Sequence, residues 1–469
     1  MDAIISPVYK KGNVHLASNY RPVSLSCILC KVMEHIIFKH VLKHLERHGI
    51  LTTLQHGFRS GHSCETQLLI TVDDLMKAYD SRAQTDLAIL DFSRAFDTVP
   101  HERLLGKLEF YGIRGVINEW VRSFLTDRRM WVAIDGETSP KECVASGVPQ
   151  GTVLGPLLFL IFINDLPQQV SPGTRVRLFA DDCLVYRNVS TVEDQVCLQR
   201  DLTALDNWAK RWGMRFNPAK CNIMRISRSK QVITKLYELC GVILEEVVAA
   251  KYLGVTISNN LEWSKHIAIV TKKASNTLSF LRRNLRYCPR KAKETAYLAL
   301  VRSTIEYSSV IWDPHLQKDK DQLEKVNRRA ARFVTNTYDR QRSASDLLQK
   351  LEWPTLEHRR SNQRLTMMYK VVQGLVAVPA SSLEPADTRT RANHAFKFRN
   401  ITTATTQYKH SFFPRTIPEW NGLKKEVAES GSLNMFRDRL PMPCGTHTVI
   451  GGMSHQGISR LLYRIEYRI

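Results

Sequence analysis

The chain has 469 residues, of which 43% are hydrophobic, and its 67 Lys and Arg outnumber its 45 Asp and Glu to give a formal net charge of +22. This length and composition exclude an intrinsically disordered chain and allow several cores, on the order of three at about 150 residues per domain. The basic excess is spread along the chain and favours a polyanion such as nucleic acid, although a membrane surface or plain solubility would use the same charge.

The N-terminal sequence and the cysteine pattern lead us to expect an intracellular protein. No basic-then-apolar leader opens the chain, and the longest apolar run, 153–163, is far shorter than the roughly 20 residues that span a bilayer, so we expect neither secretion nor a membrane protein. The ten cysteines show no repeated spacing, which favours reduced thiols. Cys27 and Cys30 form a single CxxC, and we interpret it as a coincidence on a helix face rather than a zinc site.

The N-terminal 80 residues predict a cationic hairpin followed by two helices. Residues 1–25 indicate a strand, a basic turn at Lys10 and Lys11, and a return through Arg21, which suits a triphosphate but fits a solvated loop equally well. A Gly-rich loop at 57–65 precedes a helix for which Ser63 and Thr66 are capping candidates. Between the basic hairpin and this loop lies a predicted helix, 26–48, that packs one face inward through Ile28, Val32, Ile36, Ile37, Val41 and Leu45.

Two buried strands are predicted to end on carboxylates. Residues 87–90 form an apolar strand that ends on Asp91, and Asp181 and Asp182 interrupt two short apolar runs at a hairpin tip. If these strands are neighbours, the three carboxylates converge into a site for Mg²⁺, and two such ions support in-line phosphoryl transfer. An Asp-containing turn is the alternative for the tip alone. We assign Asp97 to capping the next helix.

Further along the chain, loops, helices and linkers alternate. Residues 145–151 form a defined loop at the start of an apolar helix, where backbone N–H groups can meet a nucleotide or where the loop is merely structural. Residues 201–212 predict an amphipathic helix, and 261–340 predict basic helices that suit a nucleic-acid backbone. A Pro- and Thr-rich stretch at 378–391 indicates a linker.

Five motifs together resemble a reverse transcriptase of the LINE-type, non-long-terminal-repeat retrotransposons, and most of all the jockey-like group. They are NYRPVSLS at 19–26, GFRSGHSCE at 57–65, DFSRAFD at 91–97, SGVPQGTVLGP at 146–156 and FADD at 179–182. Each motif is weak alone, but their order and spacing make the set highly specific. The resemblance runs from the first residues to about residue 440.

The resemblance implies an α+β fold shaped as a right hand, with fingers and an antiparallel palm sheet in 1–260, a basic helical thumb in 261–375, and a linker with a small C-terminal region in 376–440. It implies an RNA-directed DNA polymerase that extends a DNA primer or target DNA on an RNA template with dNTPs and two Mg²⁺ ions, Mn²⁺ being possible. Copying at a target site implies the nucleus, with the cytoplasm as an alternative. The oligomeric state stays open.

The resemblance also implies roles for individual residues. Asp91, Asp181 and Asp182 would be catalytic and hold the metals. A steric gate against ribonucleotides, a nucleotide pocket and a primer grip would be formed by further positions inside and outside these motifs. These are Phe96 as the gate, Lys11, Arg21, Gln150, Gly151 and Lys220 for the nucleotide, and Tyr252, Leu253 and Gly254 for the primer.

Two departures from the family pattern keep a second function open. Met1 falls inside the first fingers segment, so we expect the chain to be a piece of a longer reading frame. Residues 441–469 change composition and no longer resemble the family. The alternative to an active polymerase is therefore a nucleic-acid-binding relic that truncation has inactivated. A splicing-type reverse transcriptase fits less well, because the sequence after 261 follows the retrotransposon pattern.

Overall fold

The computed structural model describes residues 2–126, 128–229, 231–339, 342–386 and 394–440. The predicted tail at 441–469 lies outside the described residues. Strands and helices alternate up to residue 258, in this order: β1 Asp2–Tyr9, β2 Tyr20–Leu25, α1 Ile28–Arg47, α2 Cys64–Asp80, β3 Gln84–Leu90, α3 His101–Phe110, α4 Val116–Leu125, β4 Arg129–Ile134, β5 Glu137–Thr138, β6 Glu142–Cys143, α5 Leu154–Ile163, β7 Thr174–Phe179, β8 Asp182–Val189, α6 Val192–Trp212, β9 Asn222–Ile226, β10 Glu238–Leu239, β11 Val242–Ile243, β12 Glu245–Glu246, β13 Ala249–Tyr252 and β14 Val255–Ser258.

After residue 258 the regular elements of the described chain are helices, which confirms the predicted change to helical structure at about residue 261. Its helices are α7 Ser264–Asn284, α8 Arg290–Ala296, α9 Ser303–Glu306, α10 Ser309–Trp312, α11 Gln317–Thr335, α12 Ala344–Lys350, α13 Leu356–Val372, α14 Thr406–Lys409, α15 Phe412–Asn421, α16 Lys425–Ala428 and α17 Leu433–Arg439. A π-helical segment, Tyr297–Arg302, joins α8 to α9. The fold is therefore α+β, as predicted.

A central five-stranded sheet has the order β12-β9-β3-β8-β7. All its pairs are antiparallel except β12 with β9. Strand β3 pairs directly with β8, and Leu90 lies opposite Cys183. The two strands predicted to end on carboxylates are thus neighbours, as the metal-site hypothesis requires.

Both faces of this sheet are buried, because its strands alternate their apolar side chains between two cores. Leu184 and Tyr186 of β8 pack with α2 and the C-terminal helices. Cys183 and Val185 pack with α5 and α6. The sheet is clamped between helical layers, which hold the ends of its strands in place.

The N-terminal sheet has the order β2-β1-β4-β5, with β6 also paired to β4. Strands β1 and β2 form the predicted basic hairpin, with Tyr9 opposite Tyr20. Strand β4 pairs in parallel with β1, so residues 129–134 complete a sheet that the N-terminal sequence begins. The tyrosine pair closes the hairpin with its ring centroids 5.5 Å apart.

The helix prediction for 26–48 is confirmed, but its inward face was only half right. Ile37, Val41 and Leu45 are buried, whereas Ile28 is 80% exposed and Val32 and Ile36 are about half exposed. The apolar period was present throughout, but only its later positions join the core that contains α5, while the second turn reaches the start of α5 through the carboxylate of Glu34. By contrast, α2 begins with the predicted cap, a capping box between Ser63 and Thr66.

The predicted linker at 378–391 is not a free linker in its described part. Val378 and Leu383 are buried, and Ser382 Oγ donates a hydrogen bond to Asp73 Oδ2 of α2 at 3.1 Å. Residues 387–391 of this segment lie outside the described residues. The C-terminal helices share one core with the sheet and α2 through Trp420 and Phe436. The Pro- and Thr-rich composition reflected a chain that follows the surface, which needs few apolar residues.

No helix among the described residues is both long and apolar enough to cross a bilayer. The apolar run at 153–163 forms α5, which lies inside the protein between the sheet and α1.

Candidate active site

The three carboxylates lie together at one end of the central sheet. Asp91 follows β3 directly, Asp182 opens β8, and Asp182 pairs with Phe179 across a two-residue turn. Ala180 in this turn has φ 53°. Gln55, which is buried, binds both sides of that residue, because its Oε1 accepts from Ala180 N at 2.9 Å and its Nε2 donates to Ala180 O at 3.2 Å. The predicted hairpin tip is therefore held rigidly.

The charges at this end of the sheet repel one another. Burial raises the pKa of Asp181, and the charge of Asp91 raises it further, whereas Arg21 and Lys10 oppose this rise. The walls of the cleft desolvate Asp182 although it keeps solvent-accessible surface, and together with the charges of Asp181 and Asp91 they raise its pKa to about 6. Such shifts mark a site that a bound cation would stabilise.

Asp91 forms an ion pair at this end of the sheet. Its Oδ2 is buried and lies 3.2 Å from Lys220 Nζ without forming a regular hydrogen bond. The Lys220 ammonium offsets part of the negative charge at this oxygen. Lys220 therefore lies beside Asp91, and the nucleotide-binding role that was expected for it stays a prediction.

The donor set fits a divalent metal in its chemistry, since hard cations prefer carboxylate oxygens. Across the described ranges, no three His, Cys, Asp or Glu side chains are already arranged as a coordination shell. Mg²⁺ does not need such a shell, because it binds through one or two carboxylates and takes its other ligands from water and substrate phosphates. Asp91, Asp181 and Asp182 are the residues that could hold it.

Phe96 follows Asp91 along the chain in a short 3-10 turn, Ala95–Asp97. Its ring stacks on Phe159 of α5 with a centroid distance of 4.3 Å and meets Phe58 edge-on at 6.4 Å. The backbone is held as well, because Val148 N donates to Phe96 O at 2.7 Å. The ring is therefore fixed in position and only partly buried, and its role as a gate stays a prediction.

The predicted capping role of Asp97 is wrong. Helix α3 begins after Pro100 with no side-chain cap. Asp97 instead accepts a hydrogen bond at Oδ1 from Gln150 Nε2 at 2.8 Å. Residues 98–100 separate Asp97 from the helix, and its carboxylate meets the loop that carries Gln150.

Gln150 and Gly151 join this loop to the N-terminal sheet. Ser24 N of β2 donates to Gln150 O at 2.8 Å. Gly151 has φ +90°, and a Cβ there would lie 2.9 Å from both Ser24 O and Val23 Cγ1. A glycine is required for this approach. The side chain of Glu34 in α1 supports the same region by accepting from Val153 N and Leu154 N at the start of α5, at 2.6 and 3.0 Å.

Of the basic residues in the first hairpin, Lys10 and Arg21 bring positive charge toward Asp181. Arg21 lies opposite Val8, and strand alternation places Lys10 on the same face as Val8. Both Lys10 and Arg21 lower the pKa of Asp181. Lys10 and Lys11 are both exposed, and the nucleotide-binding role expected for Lys11 stays a prediction.

The predicted primer-grip residues form the β13–β14 hairpin and share a cleft with Asp182. This cavity of about 220 Å³ is lined by Asp182, Tyr252, Leu253 and Gly254 among others. Tyr307 holds the hairpin, because its hydroxyl donates to Leu253 O at 3.0 Å and its ring would meet a Cβ on Gly254 at 2.7 Å. Sequence reasoning missed Tyr307, which lies 54 residues from Leu253 and carries no local signal.

Comparison with known proteins identifies the class. Residues 8–257 match the model of the family described as reverse transcriptase (RNA-dependent DNA polymerase). Since this match covers more than half of the 469 residues, the chain belongs to that family. Reverse transcriptases use divalent metal ions, in agreement with the carboxylate chemistry at the sheet end.

The relatives agree with the predicted retrotransposon group. The chain is 30% identical to the probable RNA-directed DNA polymerase from transposon BS of Drosophila melanogaster, over 71% of this chain and 38% of the relative. It is 33% identical to the RNA-directed DNA polymerase from mobile element jockey of the same organism, over 56% of this chain and 30% of the relative. The chain thus spans well under half the length of these relatives.

Solved structures show a weaker likeness. The apo telomerase from Candida tropicalis aligns with 10% identity over 80% of this chain and 62% of that chain, at a TM-score of 0.43. This similarity is too low to support a conclusion about the site.

Proposed function

We propose that this chain copies RNA into DNA as the polymerase of a non-long-terminal-repeat retrotransposon, with two Mg²⁺ ions as cofactor and dNTPs as substrates. The observation that supports it most is the meeting of Asp91, Asp181 and Asp182 at the end of paired strands, where burial and mutual charge raise the pKa of Asp181 and Asp182. Such a set of oxygens is suited to hard divalent metal ions.

Each residue of the site would have its own role in the polymerase reaction. When bound, the metal ions would stabilise the attacking and leaving oxygens of the phosphoryl transfer. Arg21 and Lys10 lie where they can bind the triphosphate of the incoming nucleotide. Phe96, fixed against Phe159, would clash with a ribose 2′-OH and so select deoxynucleotides. Lys220, beside Asp91, can donate a proton to the leaving pyrophosphate.

The nucleic acid would be held by the hairpin and the basic helices. The β13–β14 hairpin shares its cleft with Asp182 and can position the primer end there. Exposed basic residues of α7, α8 and their connection suit the phosphates of the template–primer duplex, and these are Lys272, Lys273, Arg283, Arg286, Arg290 and Lys291. Lys293 is buried over the ring of Phe333 and does not belong to this surface.

These roles divide the chain into fingers and palm at 1–260, thumb at 261–375 and a small C-terminal region at 376–440. Copying at a chromosomal target site would take place in the nucleus.

A primer-extension assay on poly(rA)/oligo(dT) tests the proposal. The wild-type chain should incorporate dTTP only with Mg²⁺ or Mn²⁺, and Asp181→Asn should lose at least about 100-fold in rate because a metal ligand is neutralised. Asp135→Asn, at an exposed turn of the N-terminal sheet, is the matched control and should keep full activity. Duplex binding without incorporation by the wild type would instead support an inactive nucleic-acid-binding relic.

A further inference from the structure

Cys27 and Cys30 lie together at the start of α1, where the sequence alone indicated a coincidence. Cys27 is the N-cap residue, and its sulfur accepts a hydrogen bond from Cys30 N at 3.3 Å. The two Sγ atoms lie 3.2 Å apart, within hydrogen-bond distance of each other. Cys27 is exposed and Cys30 is partly buried. The two sulfurs are thus nearly in contact at a solvent-accessible helix terminus.

The two thiols are not equivalent. The hydrogen bonds from Cys30 lower the pKa of Cys27, and the start of a helix favours a thiolate further. The hydrogen bond to Cys27 and burial raise the pKa of Cys30. Cys27 is therefore suited to attack an oxidant, and Cys30 is suited to resolve the product.

We propose that Cys27 and Cys30 form a redox modification site that closes reversibly into an intramolecular disulfide. With a peroxide as oxidant, the Cys27 thiolate attacks one oxygen, which leaves a sulfenic acid on Cys27 and releases hydroxide. Cys30 then attacks that sulfur, the S–O bond breaks, and the Cys30 proton leaves with the oxygen as water. The two cysteines lose two electrons and the peroxide gains them, and a dithiol reductant reverses the reaction.

Formation of the disulfide would shift the loop that carries Gln150. Ser24, three residues before Cys27, donates to Gln150 O, and Glu34, four residues after Cys30, accepts from the start of α5. Closing the sulfurs from 3.2 Å to a bond of about 2.05 Å shifts the first turn of α1, which lies between these two contacts. Oxidation should therefore disturb the position of Gln150.

Mass spectrometry of the full chain tests the site independently of activity. After brief treatment with hydrogen peroxide and alkylation of free thiols, the peptide 12–31, which contains both cysteines and no other, should appear about 2 Da lighter and without the alkyl group. Dithiothreitol should restore two alkylated thiols. Cys143, an exposed single cysteine, is the internal reference and should stay alkylated. Preferential oxidation of Cys143, with 12–31 still reduced, would overturn the proposal.

Two serine variants refine the test. Cys27→Ser keeps an N-cap acceptor, so the helix start is preserved, but peroxide should no longer modify 12–31. Cys30→Ser should stop at a sulfenic acid on Cys27 that a sulfenic-acid trap labels. Labelling of neither sulfur in Cys30→Ser would refute Cys27 as the attacking thiol.

A second readout rests on the proposed polymerase function. Oxidised wild type should extend a primer about fivefold more slowly, the lower range for coupling between sites, while the Cys27→Ser/Cys30→Ser double variant should be insensitive to the same treatment. A disulfide that forms without any change in rate would refute the link to Gln150. A chain with no polymerase activity at all would refute the proposed function while the mass readout still decides the modification site.

Discussion

Gly147→Ala should destabilise the loop that carries Gln150 more than a glycine-to-alanine replacement at an open position destabilises the protein. Gly147 has φ +96°, and a Cβ there would lie 2.8 Å from Asp97 O and 2.9 Å from Asp97 C and Cα. The backbone has little room to relax, because Gly147 N donates to Val99 O at 2.8 Å and Gly147 O meets His101 Nε2 at 2.9 Å. Backbone strain costs about 1–3 kcal/mol, and the clash adds about 1–3 kcal/mol more.

Gly136 offers a matched control for the backbone strain alone. Its φ is +91°, but a Cβ there would meet nothing within 4 Å. Urea unfolding of both alanine variants should show that Gly147→Ala loses about 1–3 kcal/mol more than Gly136→Ala. Primer extension should also show a raised KM for dNTP in Gly147→Ala, because a displaced Asp97 no longer holds Gln150. Equal losses of stability in the two variants would refute the close packing of this loop on Asp97.

Three further predictions concern pH, a buried ion network and substrate choice. Burial lowers the pKa of His56 to about 3, so the folded chain cannot take up a proton that the unfolded chain accepts below its usual pKa of 6.5. This group should lower the free energy of unfolding by about 2 kcal/mol between pH 6.5 and 5. Urea midpoints measured against pH should therefore fall less steeply in His56→Gln than in the wild type. Parallel pH profiles of the two proteins would contradict this. Asp313→Ala should lower the free energy of unfolding by about 3–5 kcal/mol in a thermal unfolding experiment, because it leaves the buried Arg360 and Arg364 without their shared carboxylate. A loss below about 1 kcal/mol would show that the two arginines find other partners. Phe96→Val should raise ribonucleotide use relative to dNTP use at least about tenfold in single-nucleotide extension, and an unchanged ratio would remove Phe96 as the gate.

Local patterns account for much of the architecture. The apolar runs before Asp91 and around Asp181 predicted paired strands that end on carboxylates, and β3 and β8 confirm this pairing. The capping box of α2 was also readable, because Ser63 and Thr66 act within a single turn. Such features depend on neighbours in sequence, and sequence therefore predicts them well.

Errors arose where a long-range contact competed with a local one. Asp97 had the position of a helix cap, but Gln150, 53 residues away, takes its carboxylate. Lys10 and Lys11 are adjacent, and only the tertiary structure brings the charge of Lys10, with that of Arg21, close enough to lower the pKa of Asp181. The apolar positions of α1 were visible, but the extent of the neighbouring layer decided which of them are buried.

The sequence by itself determined the family, the strand ends and the three carboxylates, because these rest on motif order and on short-range periodicity. Tertiary structure alone decided that Asp91 Oδ2 pairs with Lys220 and that Tyr307 holds the β13–β14 hairpin. Each of these depends on distances between atoms that burial and packing set, and no pattern along one chain encodes them locally.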